Sequence, residues 1–145
     1  MRRIQRDVCH EDFIKRLTSS DGAIFKEMWR VLLFAAALGI RDGKRRPLEK
    51  VDSGKAMPEN YFSTPGWRGF LYLIEVADSG DSACLHGTEE AQDGLITTFE
   101  EYANYGLHVL SERLGASASP LDELISLLLE ASKSGTPAPI IDDLI

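Results

Sequence analysis

Few residues in this chain have the chemistry to hold a metal or attack a substrate. Cys9 and His10 are adjacent, Cys84 and His86 flank Leu85, and His108 stands alone beside Leu107. Two thiols and two imidazoles are the donor types of a zinc site. Their spacing argues against one, because adjacent Cys-His is a poor chelating arrangement and neither pair has the CxxC form. His108 has no nucleophile at helical spacing. The acid pairs Glu89-Glu90 and Glu100-Glu101 stand at i, i+1, so their members point to different sides of a helix and do not form an acid–base dyad. The chain has no Walker loop, no GxGxxG, no HExxH and no nucleophile elbow. These residues predict a protein that is not an enzyme and that takes neither metal nor cofactor.

A second chemistry is anion recognition. In "LGIRDGKRRPLEK" the cations Arg41, Lys44, Arg45 and Arg46 fall within six positions. Cations just past a helix C-terminus are favourable against its dipole by ~0.3–1 kcal/mol each, and one or two would suffice. Arginine forks suit phosphate and carboxylate alike. Arg2, Arg3 and Arg6 add basic charge near the N-terminus. Helix capping, pairing with acids of a partner or of the chain itself, and contact with nucleic-acid phosphate are the readings this set allows. Residues 1–46 hold eleven Lys/Arg and six Asp/Glu, whereas residues 47–145 hold five and seventeen. The split sets a basic end that can meet phosphate against an acidic body that repels it, or else two halves that attract each other within one fold.

The elements that must position these groups read as helices. "RIQRDV" alternates well enough for a short strand or an extended arm. Phe13, Ile14 and Leu17 then share a helical face. The segment Ile24 to Leu38 carries a wide apolar stripe and should end with Gly39 in the left-handed conformation. Residues 40–63 read as a long irregular connection. Thr64 and Pro65 should start a helix whose apolar face is Phe70, Leu73, Ile74 and Ala77. Thr88 opens a long helix to about Leu114, ended by Gly115, with Leu95, Phe99, Gly106, Leu107, Leu110 and Leu114 on its stripe. Within it, "FEEYANYGLHVL" puts Ala103 and Gly106 among Tyr102, Asn104 and Tyr105. Glycine in mid-helix costs roughly 1 kcal/mol against alanine, which points to a close helix contact or a ligand there. Ser119 caps a last helix, with Leu121, Leu124, Ile125, Leu128 and Leu129 as its buried side and Gly135 at its end.

Together this is an all-α compact bundle of about five helices with a short N-terminal strand or arm. The expected organisation is one helical domain over 1–145, with a basic arm at 1–9 and a tail at 136–145. The chain is 43% hydrophobic and 27% charged, as in ordinary globular proteins. Its start is charged where a signal peptide needs an apolar core, and its longest apolar run, Val31 to Ile40, is about half the ~20 residues that span a bilayer. A cytoplasmic protein without membrane partners is expected.

"VLLFAAALGIRDGKRRPLEK" and "FEEYANYGLHVL" resemble segments of a bacterial family, the Dnd-system-associated proteins encoded beside DNA phosphorothioation genes. The residues carrying the likeness are Ala35 to Gly39, Arg46 to Leu48, and Glu101 to Asn104 with Gly106. The resemblance implies an accessory role in sulfur marking of DNA, in mark-dependent restriction as antiviral defence, or in control of either. It implies a larger protein of the same system as partner, with DNA as a further one. No catalytic residue carries over from it. The order strand, helix, break, long helix also resembles a ribbon-helix-helix regulator, which would be a homodimer with Arg3, Gln5 and Asp7 on the ribbon face. A pure protein-interaction module, with "PAPIIDDLI" as docking peptide, is the third reading.

Overall fold

The computed structural model describes residues 2–19, 23–62, 66 and 68–134. It is an all-α bundle of five helices: α1 Glu11–Ser19, α2 Met28–Asp42, α3 Arg68–Ser79, α4 Glu89–Leu114 and α5 Pro120–Ser134. No β-sheet forms among the described residues; the arm meets the α2–α3 connection through two isolated antiparallel bridges, Ile4 with Met57 and Asp7 with Val51. A short 3-10 turn, Val8–His10, leads from the arm into α1, and the Asp7 side chain caps it by accepting from the Cys9 N–H.

α4 is the axis of the bundle. Its 26 residues make a rod of ~39 Å, and the Thr88 hydroxyl accepts from the Ala91 N–H at its start. Leu95, Phe99, Leu107, Leu110 and Leu114 are fully buried along it. α2 packs on this face with Val31, Leu32, Ala35 and Ala36 completely enclosed. Two glycines set how closely the two helices approach. A Cβ on Gly106 would lie 1.8 Å from the Ala35 carbonyl oxygen, and one on Gly39 would lie 2.5 Å from that of Tyr102. Trp29, Phe62 and Phe99 close one end edge to face, with centroids 5.8 and 5.4 Å apart.

Three boundaries and faces differ from the sequence reading. α2 does not stop at Gly39 but runs one turn further, and Gly43 (φ 64°) takes the left-handed cap. Gly39 serves close approach instead. On α3 the buried pair is Leu71 and Ile74, while Leu73 is exposed, because the adjacent helix α4 faces the side one residue round from the expected stripe. On α5, among the described residues, only Leu124 and Leu127 are buried, and Leu121, Ile125, Leu128 and Leu129 are each about half exposed. The apolar arc of α5 is wider than the surface that α4 offers it. Thr64, Pro65, Gly135 and the tail 136–145 lie outside the described residues.

Candidate functional site

The polar groups that the sequence scatters over a hundred residues converge along one side of α4. Thr97, Glu100, Glu101, Asn104 and His108 follow at helical spacing, so successive turns present them to the arm on one flank and to the α2–α3 connection on the other. Glu100 is 7% exposed. Both its oxygens accept from Arg2, at 2.8 and 2.9 Å, and the Gln5 backbone N–H donates to it as well. Arg2 also donates to the Thr97 hydroxyl at 2.8 Å. The Glu100 hydrogen bond and charge raise the Arg2 guanidinium above its ordinary value, against the opposing effect of burial.

Asn104, 3% exposed, ties three segments together. Its Nδ2 donates to the carbonyls of Arg46 and Pro47 at 3.0 and 3.2 Å, and its Oδ1 lies 2.8 Å from His10 Nε2. Asp7 closes the same corner: it takes the Cys9 N–H on one oxygen and the Glu49 N–H, at 2.8 Å, on the other. Burial works to raise the Asp7 carboxyl, but the amide hydrogen bonds from Cys9, Glu49 and Lys50 prevail and hold it at about 2. Asp7 is therefore buried, not on an exposed ribbon face beside Arg3 and Gln5.

The basic turn is largely answered by acids of the chain itself. Arg45 pairs with Asp78 of α3 at 2.8 Å and with Glu101 of α4 at 3.3 Å, and stacks 5.5 Å from the centre of the Tyr102 ring. The Tyr102 hydroxyl donates to Asp78. Burial, that hydrogen bond and the Asp78 charge together push the Tyr102 phenol up to about 12. Arg41 pairs with Asp42 at 2.9 Å, and Asp42 also accepts from the Tyr105 hydroxyl at 3.0 Å. Arg46 donates its backbone N–H to the Glu101 carbonyl at 3.0 Å. In the arm, Arg6 pairs with Glu11 and donates to the Lys55 carbonyl at 2.7 Å, and Arg3 reaches the Ala56 carbonyl at 3.5 Å. The side chains of Lys44 and Arg46 make no hydrogen bond or ion pair among the described residues.

Of the basic residues singled out in the sequence, Arg41, Lys44, Arg45 and Arg46 thus share one exposed corner where α2, α3 and α4 meet. Arg2, Arg3 and Arg6 lie along the arm. Among the helix-contact residues, Gly106 faces α2, Asn104 faces the arm and connection, and Tyr102 and Tyr105 reach the acids that answer the basic turn. The sequence read Glu100-Glu101 as solvated helix charges; instead Glu100 is buried and paired with Arg2, and Glu101 pairs with Arg45. Asp78 was missed, its one signal being an acid in the half of the chain that balances the basic half.

A family model described as DNA sulphur modification system-associated protein 4 matches residues 3–140. No curated protein and no solved structure matches the chain.

Proposed function

Because the chain belongs to the family of DNA sulphur modification system-associated protein 4, we propose that it is a non-catalytic accessory protein that docks on a larger protein component of such a system. The observation that carries this reading is the row Leu121, Ile125, Leu128 and Leu129 on α5, each 46–55% exposed. Four large aliphatic side chains on one helix face are costly to leave in water, at roughly 25 cal/mol per Å² of apolar surface, and such patches mark interaction surfaces. The acidic majority of residues 47–145 suits a basic protein surface around that row. Co-purification of the full chain with the other proteins of its system tests the reading. Leu128→Glu/Leu129→Glu should abolish capture while leaving the fold intact, and unchanged capture would overturn it.

A second reading, direct contact with DNA, is supported by Lys44 and Arg46, whose exposed side chains make no direct ion pair among the described residues, although the Lys44 charge still acts on Asp42. Anisotropy titrations on a short duplex, with and without a phosphorothioate, test it. Binding through these two residues predicts that Lys44→Ala/Arg46→Ala lowers the salt slope by about 2. Equal slopes for wild type and variant would rule these two out as phosphate contacts. No helix among the described residues is long and apolar enough to cross a membrane.

A further inference from the structure

We propose that Cys9, His10 and His108 form a binding site for a zinc-class cation, with water in the fourth position. The sequence separates His108 from the other two by a hundred residues, and adjacent Cys-His is a weak signal. Folding removes both objections. The 3-10 turn before α1 carries Cys9 and His10 onto α4, and one ligand atom from each of the three residues lies within 4.8 Å of the others. Donors around a tetrahedral zinc at ~2.0–2.3 Å stand roughly 3.5 Å apart, so closure asks each side chain to move by about an ångström. The His10 and His108 rings already meet edge to face, with centroids 4.4 Å apart.

The surroundings have the outer-shell arrangement that metal ligands need. Asn104 donates its Nδ2 hydrogens to the Arg46 and Pro47 carbonyls, which fixes its amide with Oδ1 toward His10. That oxygen can only accept, so His10 Nε2 carries the proton. The Nδ1 of neutral His10 then bears a lone pair. An imidazole oriented through its second nitrogen is the usual support of a metal-bound histidine. Asp7 fixes the backbone of Cys9 by accepting its N–H at 3.0 Å. The charges acting on the cluster are the carboxylates of Asp7, Glu49 and Glu112 against one guanidinium, Arg46. Cys9 is exposed, which gives an ion an entry path. On binding, the Cys9 thiol releases its proton to solvent and both histidines ligate in the neutral form.

Cobalt(II) is the probe of choice, because a four-coordinate thiolate site turns on intense d–d bands and a sulfur-to-metal charge-transfer band. The chelator-treated full chain should bind one equivalent of cobalt with both features, and zinc should displace it. Cys9→Ser should lose the charge-transfer band, and His108→Gln should weaken zinc binding roughly tenfold or more. Cys84→Ser should behave as wild type. His10 is buried, so a failure of His10→Ala to fold would not bear on the site; Cys9→Ser keeps a hydroxyl able to bond Asp7 as the thiol does and supplies the decisive comparison. Weak octahedral bands in the wild type, or equal zinc affinity in Cys9→Ser, would mean an adventitious ion only and overturn the site.

Discussion

Tyr102 shows what a single side chain does here: its ring lies under Arg45 and its hydroxyl binds Asp78. Its phenol is raised to about 12, from an ordinary value of ~10. A group that holds its proton more tightly when folded contributes stability that is complete below its unfolded value and is lost as pH rises through its folded one. Urea midpoints should therefore fall between pH ~10 and ~12 more steeply in the wild type than in Tyr102→Phe. Parallel curves for the two proteins would contradict the Asp78 contact. Arg2 makes a second case. Removing it leaves the buried Glu100 carboxylate with the Gln5 N–H as its remaining partner among the described residues. Arg2→Ala should cost roughly 2–3 kcal/mol in urea unfolding, well above the ~0.2–1 kcal/mol of an exposed pair. The sequence named Arg2 and Arg45 as candidates but not their partners, because ion pairs between residues 33 and 98 apart have no local signature.

For the elements, the helix periods were readable and their rotations less so. The stripe of α4 was legible because Leu95, Phe99, Gly106, Leu107, Leu110 and Leu114 repeat at helical spacing on one face, whereas the burial of Thr98, Glu100 and Asn104 beside it was not. α5 was not, because leucines surround more than half of it and the choice of inner face depends on the shape of α4. Gly39 and Gly43 illustrate the same limit. Both suit a helix end, and the decision fell to the Tyr102 carbonyl, which leaves no room for a Cβ at residue 39. Gly106→Ala tests the α2–α4 approach. Alanine is better than glycine in a helix by up to ~1 kcal/mol. A Cβ set 1.8 Å from the Ala35 oxygen forces the two backbones apart and reverses that sign. The expected loss is about 3 kcal/mol or more by thermal or urea unfolding. Gly94→Ala, where nothing lies within 4 Å of the new Cβ, should instead be neutral or stabilising.

Across the whole molecule, the charge asymmetry of the sequence resolves mostly inward: Arg2 meets Glu100, and Arg45 meets Asp78 and Glu101. What the two halves could not reveal by counting was which cations of the basic turn lack a direct ion pair, and geometry leaves Lys44 and Arg46 so among the described residues. Raising salt should therefore weaken DNA binding through those two without unfolding the chain, since the Arg2–Glu100 pair is partly sheltered from screening. Loss of helical content by circular dichroism over the same salt range would argue that the internal pairs hold the fold together. The pairing of the arm with α4 also has a history in time. Arg2 leaves the ribosome 98 residues ahead of its partner Glu100. At ~5–20 residues per second that is an interval of roughly 5–20 s. Until Glu100 emerges the arm lacks its partner on α4, so a segment synthesised well before that helix docks only after it.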